Sequence, residues 1–74
     1  MDRHENALHK FGRRLTRLRE ERQLTIPALA ALTGLDPRNI TAIEAGEIDP
    51  QITTIFVLAR ALGVEPDELV SSEE

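Results

Sequence analysis

The sequence predicts a small all-α fold, a compact domain of five helices. Apolar residues recur at spacings of three and four along most of the chain. No segment alternates apolar with polar residues as a strand would, and Gly or Pro separates the apolar segments. The length of 74 residues allows one domain. We assign this domain to residues 7–70, with a flexible N-terminus at 1–6 and an acidic tail at 71–74.

Helix 1 is predicted over about residues 7–22. Its apolar residues fall on one face at helical spacing: Leu8, Phe11, Leu15 and Leu18. Its basic residues share another face: Lys10, Arg13, Arg14 and Arg17. Gly12 lies inside the helix, where Gly costs about 1 kcal/mol relative to Ala. We therefore expect another backbone to approach closely at this position.

Helix 2 is predicted over about residues 26–33. Thr25 is a good N-cap, and Pro27 fits the first turn, where backbone amides have no partner within the helix. Gly34 ends the helix as a left-handed C-cap.

Helix 3 is predicted over about residues 37–45. Asp36 is its N-cap, Pro37 occupies its first position and Gly46 ends it. Only a few residues around Gly34 join it to helix 2, which is the sharp connection of a helix-turn-helix.

Helix 4 is predicted over about residues 51–62, and a short helix 5 begins at Pro66. Helix 4 is apolar nearly all round, so it should contact something besides its own core. We predict a homodimer through an apolar surface of helices 4 and 5: Phe56, Val57, Val64, Leu69 and Val70. The alternative is that Phe56 is the core aromatic residue of a small bundle.

The composition excludes several classes of protein. There is no Cys, so neither a disulfide nor a thiolate metal site can form. His4 and His9 have no carboxylate cluster that would complete a metal site, and we predict that both lie at the surface. No apolar run approaches the length of a membrane span, and the N-terminus lacks the apolar stretch of a signal peptide. A cytoplasmic protein is therefore expected.

No constellation of residues indicates an enzyme. There is no Ser–His pair in a plausible arrangement and no Gly-rich phosphate loop, so we predict neither catalytic residues nor a cofactor. The chain leaves no room for a separate ligand-sensing domain, so no small-molecule effector is expected.

The charge is divided unevenly along the chain. Residues 1–38 contain eight Lys/Arg and five Asp/Glu, a balance of +3, whereas residues 39–74 contain one Arg and eight Asp/Glu, a balance of −7. Such a molecule can offer a basic face to DNA and keep its acidic half away from phosphates. The net charge of −4 therefore does not decide the question.

Four motifs occur along the chain: LRxxxxLT from Leu18 to Thr25, LAxxxGL from Leu29 to Leu35, ITxIExG from Ile40 to Gly46 and LAxALGV from Leu58 to Val64. Together they resemble the motifs of the lambda-repressor-like, Xre-type helix-turn-helix regulators. The FGxxL motif from Phe11 to Leu15 also resembles the small controller proteins of restriction-modification systems. The resemblance covers about residues 11–70.

The resemblance implies a DNA-binding domain of the lambda-repressor type. Members of this family typically bind operator DNA as dimers, with the second helix of the motif in the major groove. Arg19 and Glu44 match a pair that usually forms a buried ion pair between helix 1 and the end of helix 3.

Five positions depart from the family pattern. Ile26 replaces a Gln that bonds a phosphate, and Pro37 and Ala42 replace polar residues that face the bases. Glu47 and Asp49 replace basic residues in the loop after helix 3 and would repel phosphates. The N-terminal amides of helices 2 and 3 are possible substitutes as phosphate donors.

The predicted DNA contacts lie on helices 3 and 1: Pro37, Arg38, Asn39, Thr41, Ala42, Arg14 and Arg17. Arg38 can grip guanine O6 and N7 with two donors, and Asn39 can bond adenine or a phosphate. Thr41 and Ala42 can pack on a thymine methyl group. The two arginines of helix 1 would contact phosphates or simply solvate that helix.

The function that we predict is a sequence-specific DNA-binding transcriptional regulator, a repressor or autoregulator that acts as a dimer on double-stranded operator DNA. One alternative is a protein-interaction module on the same fold, such as an antitoxin or anti-repressor partner, which the departures and the acidic charge favour. Another is an oligomer whose role does not involve nucleic acid.

Overall fold

The structure is a computed structural model that describes residues 3–70, apart from the side chains of His4 and Glu5. It contains five helices: α1 (Arg3–Glu21), α2 (Ile26–Thr33), α3 (Pro37–Glu44), α4 (Ile52–Leu62) and α5 (Pro66–Val70). No strand occurs within this range, so the predicted all-α fold is confirmed. The predicted acidic tail at 71–74 lies outside the described residues.

Helix α1 begins at Arg3, whereas the sequence pattern predicts a start at about residue 7. The apolar pattern reveals only the part of a helix that packs on the core, so it gives no signal for a first turn that extends beyond the core. No described helix is long and apolar enough to cross a membrane.

The predicted caps of α2 and α3 are confirmed. Thr25 Oγ1 accepts a hydrogen bond from the Ala28 amide at 3.1 Å, and Asp36 Oδ1 accepts one from the Arg38 amide at 2.9 Å. Gly34 ends α2 with φ 77°, in the left-handed region that favours glycine. Its conformation turns the chain sharply from α2 into α3, as a helix-turn-helix requires.

All five helices contribute to one apolar core. Its largest fully buried side chains are Leu15, Leu29, Ile40, Ile43, Leu58 and Leu69. The prediction that Leu69 belongs to a dimer surface is therefore wrong, because its side chain is 0% exposed. A helix as short as α5 offers two adjacent apolar residues, and the sequence pattern cannot tell which of them faces the core.

Helix α3 lies directly against the backbone of α1 at Gly12. A Cβ atom at this position would come within 2.7 Å of the Ile43 carbonyl oxygen and closer still to that of Glu44. Separations this short are not tolerated, and the obstacle is backbone that no side-chain rotation can remove. The predicted close approach at Gly12 is confirmed.

Replacing Gly12 with Ala should destabilise the protein. The added methyl group must push α3 away from α1, and overpacking of this kind costs about 1–3 kcal/mol, which outweighs the gain in helix propensity. Chemical denaturation followed by circular dichroism would measure the change. Arg13→Ala, at the exposed neighbouring position, is the control and should leave stability nearly unchanged. A Gly12→Ala variant as stable as the wild type would show that α3 can shift without cost.

Candidate nucleic-acid interface

Helix α3 has one buried face and one exposed face. Ile40 and Ile43 are 0% and 2% exposed and anchor the helix in the core. Four of the predicted DNA-reading residues are exposed: Pro37, Arg38, Asn39 and Thr41. Ala42 is only partly exposed, so a base could reach it less easily than the other four.

The C-terminal end of α3 is fixed to α1 by the ion pair between Arg19 and Glu44. Arg19 donates from Nε to Glu44 Oε2 at 2.7 Å and from Nη2 to Oε1 at 3.1 Å. Its Nη1 donates to the Leu24 carbonyl at 2.8 Å. The two side chains are only 12% and 9% exposed, and the hydrogen bond to Glu44 raises the pKa of Arg19. This pair joins α1, α3 and the segment that leads into α2.

Arg38 projects from the first turn of α3, and its side chain is 92% exposed. The Arg38 side chain is paired with Asp36, because Nη2 lies 3.2 Å from Asp36 Oδ2 and Nε lies 3.4 Å from Asp36 Oδ1. The side-chain hydrogen bond from Arg38, followed by that from its backbone amide, holds the pKa of Asp36 below its usual value. Sequence reasoning identified Asp36 only as a cap and missed this pairing, although two opposite charges two residues apart were a signal for it.

The N-terminus of α3 has no amide groups left for a phosphate in its first three positions. Pro37 has no N–H, the Arg38 amide donates to Asp36 Oδ1, and the Asn39 amide donates to the Asp36 carbonyl at 2.9 Å. The structure therefore does not support the expectation that backbone amides of α3 bind a phosphate.

The side chains of Thr41 and Asn39 differ in the atoms that they can offer to a DNA base and in their surroundings. The Thr41 hydroxyl donates to the Pro37 carbonyl at 3.1 Å, so its methyl group is the part most suited to a new contact. Asn39 lines a cleft of about 280 Å³ together with Asp49 and the start of α4. An acidic loop thus adjoins the residue predicted to bond adenine or phosphate.

Arg14 and Arg17, the two arginines of α1 that are predicted to contact phosphates, do not lie on the side of the helix that contacts α3. Successive residues of an α-helix are rotated by about 100°, so Arg14 and Arg17 point about 160° and 140° away from Gly12. Arg17 Nε also lies 3.9 Å from Glu21 Oε2. The Arg14 residue likewise has an interaction partner within the protein. Phosphate contact by these two arginines stays a prediction that the placement of α3 does not support.

The predicted dimer residues separate into three environments. Phe56, Val57 and Val64 line one groove of about 380 Å³, and Phe56 is 57% exposed. Val70 lines a different groove, between α1 and the segment that precedes α4, and Leu69 is buried. The groove around Phe56 is therefore the candidate apolar surface.

Ile52 extends this surface and was missed by the sequence analysis. It lies one helical turn before Phe56, is 70% exposed and lines an apolar depression with Phe56 and Val57. Its spacing of four from Phe56 was the signal that could have identified it.

No metal site is apparent among the described residues: no group of three or more His, Cys, Asp or Glu side chains is placed to hold an ion. His9 is exposed, as predicted. The side chain of His4 lies outside the described part of the chain.

Two helices joined at a left-handed glycine, with the second helix anchored in the core and exposed at its start, define a helix-turn-helix protein. The model of the helix-turn-helix domain family matches residues 10–71, and the chain belongs to this family. The resemblance to Xre-type regulators is thereby confirmed, and the expectation of a non-enzymatic protein agrees with the family.

Two protein sequences show the relationship. The uncharacterized HTH-type transcriptional regulator y4dJ of Sinorhizobium fredii is 37% identical over 60 residues, which are 81% of this chain and 78% of that protein. The HTH-type transcriptional repressor RghR of Bacillus subtilis is 39% identical over 64 residues, which are 85% of this chain. The chain spans only 47% of the length of RghR.

Solved structures share the fold. The restriction-modification controller protein C.AhdI of Aeromonas hydrophila superposes with a TM-score of 0.82 at 42% identity, over 84% of this chain and 94% of that one. A transcriptional regulator of the HTH_3 family from Vibrio cholerae superposes with a TM-score of 0.87 at 27% identity, over 95% of this chain and 39% of that one.

Breaking the ion pair should destabilise the protein strongly. Arg19→Met leaves the Glu44 carboxylate enclosed without its partner, which costs about 3–5 kcal/mol. Urea denaturation would measure the loss. Combining Arg19→Met with Glu44→Leu should restore part of the stability, because no enclosed charge then remains.

Arg17→Ala is the matched control for this experiment. Its pair with Glu21 has side chains that are 50% and 58% exposed, and surface pairs contribute only about 0–1 kcal/mol. Equal losses in Arg19→Met and Arg17→Ala would contradict the structural role of the enclosed pair.

Proposed function

We propose that this protein is a transcriptional regulator that binds operator DNA as a homodimer, with α3 in the major groove. The observation that carries the proposal is the exposed start of α3, from which Arg38 projects with a side chain that is 92% exposed. The names of its relatives support regulation of transcription: one is called a repressor and another a restriction-modification controller protein.

In this function Arg38 is the main base-reading residue. An arginine can donate two hydrogen bonds to O6 and N7 of guanine, a contact worth about 1–3 kcal/mol of discrimination. The methyl group of Thr41 and the Ala42 side chain favour a thymine next to it. Pro37 contributes only shape, so each protomer reads few bases.

Attraction to the phosphates is weak in each protomer. Glu47 and Asp49 are both exposed in the loop that follows α3, and each repels a phosphate at short range. Asp36 offsets the charge of Arg38. Binding therefore relies on two protomers that contact two half-sites at once, spaced about one helical turn apart.

The dimer surface that we propose is the apolar groove formed by Phe56, Val57 and Val64, extended by Ile52. Exposed apolar side chains that adjoin each other on one helix are costly in water. A second copy related by a two-fold axis would cover the same groove on both protomers.

A protein-interaction module is the second candidate. The specific observation in its favour is the start of α3, where the first three positions leave no amide for a phosphate. A face on which Asp36, Glu47 and Asp49 repel phosphates also fits a basic segment of a protein partner.

Arg38→Ala tests the first proposal. Sequences selected from a random duplex pool by the wild type should form a palindrome with a guanine in each half-site. The ratio of affinities for duplexes with and without that guanine should be about 5- to 150-fold smaller for the variant than for the wild type. Competition binding to matched duplexes would measure it.

Arg13→Ala removes the same charge from an exposed position of α1 and is the control. It should leave the base preference unchanged. If the wild type selects no sequence at either low or physiological salt, the DNA-binding proposal fails and the second candidate is favoured.

Phe56→Asp tests the dimer surface. A charge in the groove must be desolvated on association, so we expect monomers in analytical ultracentrifugation at concentrations where the wild type dimerises. Leu32→Asp makes the same kind of change at an equally exposed apolar side chain on α2, 61% exposed against 57% for Phe56. The Leu32 variant should still dimerise, and a dimeric Phe56→Asp variant would overturn the assignment of the groove.

A further inference from the structure

Asp36 holds both the backbone and the side chain of Arg38. Its Oδ1 accepts from the Arg38 amide at 2.9 Å, which caps α3. The same carboxylate accepts from Nε at 3.4 Å and from Nη2 at 3.2 Å. A helix cap requires only the first contact; the other two restrain the Arg38 side chain.

The pairing leaves one particular edge of the guanidinium free. An arginine side chain carries five N–H donors in a rigid planar fork. Asp36 occupies the side edge of the Arg38 fork, formed by Nε and one hydrogen of Nη2. One hydrogen of Nη1 and the second hydrogen of Nη2 remain at the outer end. This outer edge presents the two parallel donors that match O6 and N7 of guanine.

We infer that Asp36 is a positioning residue that directs Arg38 towards a guanine and away from the DNA phosphates. The inference rests on the proposed function. With Asp36 in place, the outer edge of Arg38 keeps its donors for a base, while the positive charge that a phosphate would attract is offset by a neighbouring carboxylate. Asp36 itself repels a phosphate that approaches the start of α3.

This arrangement lowers affinity and raises specificity. Non-specific binding comes almost entirely from charges that neutralise phosphates. Since Asp36 offsets the charge of Arg38, it lowers binding to every sequence. The hydrogen bonds to a guanine depend on geometry, and an arginine held at one edge loses less rotamer freedom when it forms them.

Asp36→Asn separates the positioning role from the capping role. Asn and Asp are about equally good N-caps, so the amide oxygen can still accept from the Arg38 backbone. A neutral amide neither offsets the guanidinium charge nor repels phosphates. If Asp36 were only a cap, its replacement would change affinity through the lost charge but would leave the discrimination between sequences unchanged.

The experiment measures binding of the full chain to a duplex with the selected guanine and to a duplex with that base pair replaced, over a range of salt concentrations. For Asp36→Asn we expect tighter binding to both duplexes and about fivefold less discrimination between them. The slope of log affinity against log salt should steepen by about 0.9 for each protomer, equivalent to one more phosphate contact.

Asp67→Asn is the matched control, because it removes the same charge from the exposed start of α5. It should change neither the discrimination nor the salt slope. In an Arg38→Ala background, Asp36→Asn should no longer affect discrimination, because the group that it positions is absent. Asp36→Ser, another good N-cap, is the second variant if Asp36→Asn folds poorly by circular dichroism.

The outcomes separate this inference from the proposed function. A wild type that prefers the guanine, with an Asp36→Asn variant of unchanged discrimination, would overturn the inference whatever the salt slope and leave the proposed function standing. A wild type without any preferred sequence would overturn both.

Discussion

The placement of α3 depends on two contacts that its C-terminal end makes with α1. Close approach at Gly12 sets the distance between the helices, and the enclosed pair of Arg19 and Glu44 sets the rotation of α3 about its own axis. Both contacts involve only Ile43 and Glu44 at the end of α3. The first turn is therefore left free to face outward while the helix stays fixed.

Local features of this fold could be predicted from the sequence, because they depend on residues that are neighbours in the chain. The caps at Thr25 and Asp36 and the turn at Gly34 are set by short-range hydrogen bonds and by the backbone freedom of glycine. The approach at Gly12 was also predictable, because a glycine inside an amphipathic helix is unfavourable unless packing requires it.

What the sequence could not provide is the direction in which each side chain faces in three dimensions. Leu69 and Val70 are both apolar and adjacent, yet only the packing of α5 decides that Leu69 is enclosed. Arg14 belongs to a basic stripe in the sequence, but the placement of α3 opposite Gly12 leaves Arg14 on the far side of α1. The candidate interface is therefore less basic than the sequence pattern indicates.

The proposed interface resolves the apparent conflict between an acidic protein and a DNA partner. A binding face with little net attraction to phosphates gains most of its affinity from the correct bases, so sites with other sequences compete weakly for it. In the proposed homodimer each half-site contact would be too weak alone, and occupancy would depend on dimerisation. Since dimers form with the square of protomer concentration, the operator would fill over a narrow concentration range. The apolar groove around Phe56 and the pairing of Arg38 with Asp36 would in this way complement each other. The pairing lowers the attraction of each protomer to phosphates, and dimerisation through the groove compensates by joining two half-site contacts.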